Sequence, residues 1–428
     1  MVTEKEEREE DSPMVSPLGN IRVVELATMA AAPMAGRLLA DWGADVIHVE
    51  HPVTGDPWRT WLTQGGVEFP PKLSYQFWEN YNRNKKSLTL DISHEKGLEV
   101  LHKLIAGADV FITNRRPYEL ERYNLQYDTL SRLNKGLIFA SLTGFGRKGP
   151  DKNAPGQDTI AFWARTGFMY LLQQGDSAPP SPGYRTIAAG DKVTGMTLAC
   201  GILLAIVARG QSGVGQEVDV SLLNTGIFTQ ARLALLLGGS EELYETEEEY
   251  EAASRSERES VSPLYVSFET KDKRWLQLSL APQDRYWSRF CQAIEMDSLE
   301  KDPRFDSVES RAENQPALFE IVTETFRGRT LAEWEECFEP ADLLWSPIKS
   351  PKEVLKDPQV LANEYVVPFN HPEFGDIEVM ANPIKHSKTP ATLRTPAPEF
   401  SQHTEEILLE MGYTWEAIEQ LKDEETIA

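Results

Sequence analysis

The sequence is poor in cysteine and in basic residues. Its 428 residues include only three cysteines, Cys200, Cys291 and Cys337, which lie far apart. This spacing excludes a disulfide scaffold and suits a reducing compartment. Lys and Arg total 43 against 67 Asp and Glu, so the net charge is −24. Because such a surface repels nucleic acid and anionic lipid, we expect a protein that binds neither nucleic acid nor membranes. The cysteine usage leads us to expect a cytoplasmic location.

Long apolar segments are also missing. The longest apolar run, at 198–207, is about half of the roughly 20 residues that span a bilayer. Residues 1–17 are rich in Glu and have no apolar core, which predicts a disordered tail rather than a signal peptide. Hydrophobic residues make up 41% and charged residues 26% of the chain. These proportions are typical of a folded globular protein.

Several familiar catalytic motifs are absent: a Walker loop, a nucleophile elbow and an H-E-x-x-H helix. Gly144-Phe-Gly-Arg-Lys-Gly149 matches the dinucleotide fingerprint, but Pro150 and Pro155 follow where a helix would have to begin. His48 and His51 lie three residues apart on a predicted strand, hence on opposite faces, which argues against a shared metal ion. The sequence therefore predicts no metal site and no tightly bound cofactor.

Predicted strands and helices alternate over the first half of the chain. The strands, rich in β-branched residues, are at 21–26, 44–49, 87–90, 108–113, 137–142 and 217–222. The helices between them are at 33–41, 95–106, 127–133 and 192–209. Such alternation predicts an α/β domain with a mostly parallel sheet. Ligands bind these sheets at the carboxyl ends of the strands, which points to 27–33, 114–117 and 143–158.

Basic residues gather near the ends of predicted strands. This basic cluster comprises Arg83, Lys85, Lys86, Arg115, Arg116 and Arg122. In an acidic chain, cations at successive strand ends could bind a polyphosphate ligand. Scattered solvated charges are the alternative, and the sequence leaves both interpretations open.

Two aspartates precede apolar helices. Asp158 lies in Pro155-Gly-Gln-Asp-Thr, and Asp191 lies in Ala188-Ala-Gly-Asp-Lys. Aspartate is a favoured helix N-cap, worth about 1 kcal/mol, so capping is the simpler interpretation of both residues. A catalytic role is the alternative for Asp191. Gly190 and Gly195 leave backbone room for a ligand, and a carboxylate at a helix N-terminus stays ionised, as a nucleophile must.

Further segments carry a resemblance to a known family. They are Val23-Val-Glu-Leu26 with Ala32-Pro33, the segment 39–47, Asn84-Lys-Lys-Ser-Leu88, the segment 137–146, and Gly190-Asp191. In this order the chain resembles the class III CoA-transferase family, which also contains the α-methylacyl-CoA racemases. The segments 149–165 and 410–414 are most similar to the phenyllactate and 2-hydroxyisocaproate CoA-transferase branch.

The resemblance implies an activity and a nucleophile. It implies that CoA moves from an acyl-CoA donor to an aromatic, branched or 2-hydroxy carboxylic acid. The implied nucleophile is Asp191, which would form first an acyl anhydride and then an aspartyl-CoA thioester. Asp158 and Gly190 are possible accessory residues. CoA is then a substrate and product, and the partners are an acyl-CoA and a free acid.

The resemblance also implies which residues contact CoA. The implied contacts are Ala30, Ala31, Lys85, Leu90, Asn114, Arg115 and Arg122. Where the family motif often carries basic residues, this chain has His48 and His51, so His51 is the candidate for that contact. Four aromatic residues could line the acid pocket or could belong to a helix core: Phe162, Trp163, Phe168 and Tyr170.

The implied fold is a Rossmann-like large domain with a mostly parallel sheet, a smaller α+β domain, and an interlocked homodimer. We predict a tail at 1–17, the first part of the large CoA-binding domain at 18–222, and a linker at 223–263. The small domain is predicted at 264–345. The segment 346–428 is predicted to be a linker that returns to the large domain, so the chain after Pro398 should pack on the N-terminal half.

Two other functions stay open. A racemase would be similar at Asp158, but racemases are described as pairing that aspartate with a histidine, and no histidine lies between Lys103 and Asn370. A non-catalytic CoA-binding relative is the other alternative. Proton exchange without an acceptor acid would favour the racemase, and CoA binding without turnover would favour the binding protein.

Overall fold

The computed structural model describes residues 16–60, 70–173, 188–239, 246, 249 and 262–428. These residues form two compact units. The first combines the chain up to Ala234 with Glu364–Ala428, and the second comprises Leu235–Asn363. Residues 1–15 of the predicted tail, and much of the predicted linker at 223–263, lie outside the described residues. The second unit extends beyond the small domain predicted at 264–345 at both ends.

A six-stranded parallel sheet is the centre of the first unit. Its strands in chain order are β1 (Arg22–Leu26), β2 (Asp45–Glu50), β3 (Lys86–Thr89), β4 (Val110–Thr113), β5 (Ile138–Thr143) and β6 (Glu217–Ser221). The spatial order is β3-β2-β1-β4-β5-β6, and every pairing is parallel. This is the doubly wound order, which reverses direction next to β1. The structure confirms the predicted α/β class with a mostly parallel sheet.

Helices connect and flank these strands. They are α1 (Ala31–Asp41), α2 (Pro71–Asn82), α3 (Glu95–Ala106), α4 (Pro117–Arg122), α5 (Tyr127–Leu133), α6 (Phe168–Leu171), α7 (Ala189–Ser212), α8 (Leu222–Thr229) and α9 (Ala231–Leu237). Pro33 lies in the first turn of α1, where a missing N–H costs little. Short helical turns at Pro57–Arg59 and Asp158–Ala164 complete the unit up to α9.

Each face of the sheet has its own hydrophobic core. Val23 and Val24 are adjacent on β1 and both fully buried, Val23 in the core beneath α1 and α7 and Val24 in the core beneath α3 and α5. A strand covered on both faces must be apolar at successive positions, which explains the continuous β-branched runs in the sequence. The parallel sheet is therefore an interior layer, and ligands can reach it only at the strand ends.

The C-terminal part of the chain completes the first unit. It contains β10 (Val366–His371), β11 (Gly375–Met380), α17 (Thr404–Glu410) and α18 (Trp415–Asp423). β10 and β11 pair antiparallel. Leu408 and Ile418 belong to the same buried core as Val24 and Leu104. The chain after Pro398 thus packs on the N-terminal half, as expected.

The second unit contains a three-stranded antiparallel sheet, β7 (Ser267–Glu269), β8 (Trp275–Leu278) and β9 (Trp345–Pro347). Its helices are α10 (Gln283–Ala293), α11 (Asp297–Glu300), α12 (Val308–Glu313), α13 (Gln315–Arg327), α14 (Leu331–Phe338), α15 (Pro351–Val354) and α16 (Pro358–Ala362). Phe290, Phe326 and Trp334 form part of a separate buried core. This unit has the α+β character that was predicted for the small domain.

Helix α7 is the longest in the described part of the chain. It packs along α1, where a Cβ added to Gly195 would lie 2.4 Å from the carbonyl oxygen of Ala31. Glycine at this position therefore allows the two backbones to approach closely. Among the described residues, α7 alone has the length and apolar composition of a membrane-spanning helix. The core helix of a water-soluble protein has the same properties, so this observation by itself is weak.

Candidate active site

A cavity of about 420 Å³ opens at the carboxyl ends of β1, β4 and β5. Its walls include residues 28–31 after β1, residues 114–116 after β4, residues 142–145 at the end of β5, and Lys152 with residues 154–159 beyond it. These are the three segments in which the sequence placed a ligand. The strand order explains why they meet, since β1, β4 and β5 are neighbours in the sheet.

Asp191 and Asp158 both line this cavity. The backbone N–H of Asp191 donates a hydrogen bond of 2.9 Å to Oδ1 of Asp158. The indole N–H of Trp163 donates to Oδ2 of Asp158 over 3.0 Å, and Asp158 is 7% exposed. Asp158 is thus held in place from two sides, and it anchors the first turn of α7, where Asp191 lies.

The structure refines the capping interpretation of both aspartates. Asp191 lies inside the first turn of α7, and the residue before that helix, Ala188, provides no side-chain cap. Asp158 accepts hydrogen bonds from N–H groups at this helix terminus, including those of Gly190 and Asp191. Asp158 therefore caps a helix distant in sequence, and the side chain of Asp191 is left to face the cavity.

The electrostatics of the pair raise the pKa of both carboxyls. Burial first, and then the negative charge of Asp158, raise the pKa of Asp191 to about 7. Burial also raises the pKa of Asp158, although its hydrogen bonds from Asp191 and Trp163 act in the opposite direction. The phenol of Tyr81 has its pKa raised by burial and by these two carboxylates. A carboxyl that titrates near neutrality in a cavity is a candidate for chemistry.

Gly190 is required by close packing. A Cβ at this position would lie 2.3 Å from Cγ of Phe162 and 2.4 Å from Oδ1 of Asp158. Any side chain here would push the Asp158 carboxylate away from the helix terminus that it caps. The backbone of Gly190 is therefore part of the geometry that holds Asp191.

Three basic residues line the cavity: Arg115, Arg116 and Lys152. Arg115 and Arg116 both contact Glu119, at 3.3 and 3.2 Å. Nε of Arg115 is buried and has no hydrogen-bond partner among the described residues. A buried, unsatisfied guanidinium nitrogen at a cavity wall is suited to binding an anion.

The other members of the basic cluster lie elsewhere. Nζ of Lys85 is buried and pairs with Glu25 over 2.7 Å, and Arg83 pairs with Asp41 over 2.9 Å. Lys86 pairs with Glu406 over 2.9 Å. Arg122 is exposed and does not line the cavity. The cluster is therefore divided, with only Arg115 and Arg116 at the cavity.

The remaining expected CoA contacts are divided in the same way. Ala30, Ala31 and Asn114 line the cavity, and the Asn114 side-chain amide donates to the carbonyl of Thr28 over 2.8 Å. Leu90 is buried in the core beneath α3 and α5, and His51 is exposed beyond the end of β2. Neither is among the residues that line the cavity.

The aromatic residues expected at the acid pocket pack elsewhere. Phe162 and Phe168 stack with ring centroids 5.6 Å apart, while Trp163 turns its indole nitrogen toward Asp158. Tyr170 is exposed. None of the four is among the residues that line the described cavity. Phe162 belongs to the buried core, and Trp163 and Phe168 pack against that core, as in the helix-core alternative.

The cavity residues that lie outside the predicted ligand segments include Trp58, Glu119 and Leu222. Trp58 follows β2, beyond the position of His51. Leu222 begins α8 directly after β6, and only its position at a strand end could have indicated it. Gly144 of the fingerprint-like motif has a structural role, because a Cβ there would lie 2.7 Å from Cα of Gly156.

No group of three or more His, Cys, Asp or Glu side chains within the described ranges could hold a metal ion. His48 and His51 diverge, since His48 is buried and hydrogen-bonded to Glu25, whereas His51 is exposed. The cavity is lined by aspartate, basic residues and apolar side chains. Its composition suits an anionic ligand with an apolar part.

Comparisons with known proteins agree with this geometry. The chain is 33% identical over 414 residues to an (R)-2-hydroxy-4-methylpentanoate CoA-transferase of Clostridioides difficile, covering 96% of this chain and 99% of that protein. It is 32% identical to a cinnamoyl-CoA:phenyllactate CoA-transferase of Clostridium sporogenes, covering 95% and 96% respectively.

A solved structure gives the same result for the fold. A CAIB/BAIF family protein from Brucella suis superposes with a TM-score of 0.74 at 28% sequence identity, covering 92% of this chain and 99% of that one. The model of CoA-transferase family III matches residues 18–404. The chain belongs to CoA-transferase family III and is a CoA-transferase that acts between an acyl-CoA and an acid.

Proposed function

We propose that Asp191 carries the CoA transfer, through an acyl anhydride and an aspartyl-CoA thioester. The observation that supports this most directly is the placement of Asp191 at the cavity wall, with its backbone N–H fixed by Asp158. Of the described residues at this cavity, Asp158, Asp191 and Glu119 carry carboxylates. Glu119 is paired with Arg115 and Arg116, and Asp158 is occupied by hydrogen bonds. Asp191 remains as the nucleophile.

The proposed reaction proceeds by four acyl transfers. A carboxylate oxygen of Asp191 attacks the thioester carbonyl, the C–S bond breaks, and CoA leaves as a thiolate. The thiolate attacks the aspartyl carbonyl of the anhydride and releases the donor acid. The acceptor carboxylate then attacks the aspartyl-CoA thioester and expels CoA thiolate, which leaves a second anhydride. CoA thiolate finally attacks the acceptor's carbonyl in this anhydride, forms the acceptor's CoA thioester and releases the Asp191 carboxylate. Asp191 is regenerated, and each step exchanges one leaving group for one nucleophile.

Asp158 is proposed as an accessory residue that positions the nucleophile. Its carboxylate caps the terminus of α7 and so fixes the backbone of Gly190 and Asp191. Its charge also contributes to the raised pKa of Asp191. A nucleophile with a pKa near the working pH is half ionised, yet retains more basicity than an ordinary carboxylate.

CoA is proposed to enter along the wall formed by residues 28–31 and 114–116. Arg115, Arg116 and Lys152 supply positive charge for its phosphates. Helix α1 begins at Ala31, so the positive end of its dipole also lies at this wall. None of the remaining expected CoA contacts lines the cavity: Lys85, Leu90, Arg122 and His51. A contact between CoA and these four residues stays a prediction.

The acceptor is proposed to be an aromatic, branched or 2-hydroxy acid. Apolar side chains at the cavity offer a surface for such a group: Met29, Trp58, Leu142, Phe145 and Leu222. A small dicarboxylate would gain little from this surface, because apolar contacts reward apolar area. The two relatives named above act on a branched 2-hydroxy acid and on an aromatic 2-hydroxy acid.

A donor–acceptor panel tests this function. Acyl-CoA donors are combined with aromatic, branched, 2-hydroxy and dicarboxylic acids, and CoA esters are followed by mass spectrometry. We expect transfer to the first three classes, together with a hydroxylamine-trapped adduct on the peptide that contains Asp191. An adduct on a different residue would contradict the mechanism. Exchange of the α-proton in heavy water without an acceptor acid would indicate a racemase instead.

The pH dependence of the rate separates the two aspartates. With a pKa of about 7, Asp191 is protonated at lower pH, so wild-type kcat/KM should fall to about a tenth of its plateau at pH 6. Replacing Asp158 by Asn removes a negative charge that raises this pKa. The acid limb of the Asp158→Asn profile should therefore move to lower pH, while the wild-type limb stays near 7. An unchanged limb in a folded variant would show that the two carboxyls are not coupled.

A second copy of the chain is the partner that we propose for an exposed apolar face. On α7, Leu204 is 65% and Val207 is 62% exposed, and on α8 Phe228 is 88% exposed. Leu204 and Val207 are three residues apart on α7 and so lie on one face of the helix, and large exposed apolar faces indicate an interface. An α7 covered by a second subunit would also account for its membrane-like composition in a cytoplasmic protein.

Charge on this face should dissociate the dimer. We expect the double variant Leu204→Lys and Val207→Lys to elute as a monomer, with half the wild-type mass by light scattering, because two buried lysines cannot be desolvated at low cost. Leu133→Lys is the matched control, since Leu133 is 53% exposed at the end of α5. A dimer of unchanged mass and affinity in the double variant would place the interface elsewhere.

A further inference from the structure

The turn that forms one wall of the cavity has an unfavourable backbone conformation. Met29 has φ of +70°, in the left-handed region that side chains other than glycine rarely adopt. Its neighbours in the segment 28–31 line the cavity with it, and α1 begins at Ala31. A strained residue at a ligand wall persists only if its surroundings hold it in place.

Asp56 provides this hold. The backbone N–H of Met29 donates to the Asp56 carboxylate, at 3.1 Å to one oxygen and 3.3 Å to the other. Asp56 also accepts from the backbone N–H of Trp58 over 2.7 Å, and it is completely buried. Asn114 holds the adjacent residue, Thr28, by two hydrogen bonds. The turn is thus fixed from one side by Asp56 and from the other by Asn114.

A buried charge network lies next to Asp56. Nε2 of His48 lies 3.5 Å from Oδ2 of Asp56, and Nδ1 of His48 lies 2.6 Å from Oε1 of Glu25. Lys85 contacts the same Glu25 oxygen over 2.7 Å and donates to the carbonyl of Pro33 in α1 over 2.9 Å. The network therefore joins β1, β2 and α1 directly beneath the turn.

The sequence leaves space for this network. A Cβ added to Gly36 of α1 would lie 1.8 Å from Oε2 of Glu25. Glycine in the interior of a helix is unfavourable relative to alanine, but at this position it leaves room for the carboxylate of Glu25. The sequence analysis named Lys85 as an implied CoA contact, and the structure places it with His48 in this buried network.

We infer that Asp56 is a positioning residue of the CoA-transfer reaction, which holds the Met29 turn in the shape that binds the acyl-CoA. The inference rests on the proposed function. A residue with a merely structural role would not contact the cavity lining, whereas Asp56 accepts hydrogen bonds from the N–H of Met29, which lines the cavity. Asp41 is an equally buried carboxylate, but its partners, among them Arg83 and Asn84, do not line the cavity.

Steady-state kinetics of matched variants test the inference. Asp56→Ala removes the acceptor for the Met29 N–H, and we expect the KM for acyl-CoA to rise at least about tenfold. Asp56→Asn keeps an oxygen for that N–H, and its KM should stay within about threefold of wild type. Asp41→Ala should lower the melting temperature and leave the KM unchanged. If Asp56→Ala does not fold, Asp56→Ser takes its place, because the shorter side chain leaves its oxygen too far from the Met29 N–H. Its KM for acyl-CoA should then also rise at least about tenfold.

The outcomes separate this inference from the proposed function. Calorimetric titration with free CoA should show the same loss of affinity in Asp56→Ala without any turnover. An unchanged KM and CoA affinity in a folded Asp56→Ala, with normal wild-type transfer, would overturn the positioning role alone. Equal changes of KM in Asp56→Ala and Asp41→Ala would also overturn it. A wild-type enzyme that transfers no CoA would instead overturn the proposed function.

Discussion

Replacing Asp191 by Asn should lower the rate of CoA transfer by at least about 10³-fold, because the amide cannot form the anhydride. The variant should fold as well as wild type. The Asp191 carboxyl is destabilised by burial and by the charge of Asp158, and a neutral amide of the same shape removes that repulsion. Transfer rates at saturating acyl-CoA, together with thermal unfolding, measure the two effects separately.

The control for Asp191 is a carboxylate in a comparable environment that lies away from the cavity. Asp219 on β6 also has a pKa raised by burial and does not line the cavity. Asp219→Asn should keep the transfer rate within about twofold of wild type. Hydroxylamine should trap the acyl group in Asp219→Asn and not in Asp191→Asn. An Asp191→Asn protein that is folded and fully active would exclude the covalent mechanism.

The parallel sheet could be predicted from the sequence because its signal is local. β-branched runs such as Val23 and Val24 occur where strands are buried on both faces, and helical segments alternate with them. Helix α2 at Pro71–Asn82 was missed, since its polar face and aromatic residues give no clear period. Helix α7 begins earlier than predicted, so Asp191 lies in its first turn rather than before it.

The candidate site could be predicted only in part, because its decisive contacts are not local. The strand ends identified the cavity walls, but the pairing of Asp158 with Asp191 joins residues 33 apart in sequence. Lys85 illustrates the same limit. It belongs to a basic cluster in sequence, yet it pairs with Glu25, a completely buried residue of β1. A carboxylate in an apolar strand needs a buried cation, and that requirement was the available signal.

Replacing Gly190 by Ala should lower the transfer rate by about 10²-fold, although alanine is the better helix former. The added methyl would lie 2.4 Å from Oδ1 of Asp158 and 2.3 Å from Cγ of Phe162. Since Phe162 is buried in the core, the carboxylate moves more readily and its bond to the Asp191 N–H is lost. The nucleophile then loses its fixed orientation, and we expect kcat to fall more than KM rises.

Gly210 of the same helix is the matched control for this prediction. A Cβ at Gly210 has no neighbour within 4 Å, so Gly210→Ala should leave the rate unchanged and stabilise the helix by up to about 1 kcal/mol. Gly190→Ala should instead destabilise the fold by about 1–3 kcal/mol, the usual effect of overpacking. Stopped-flow acylation rates and melting temperatures of both variants distinguish local packing from helix propensity. Wild-type acylation in Gly190→Ala would show that the bond between Asp158 and Asp191 does not orient the nucleophile.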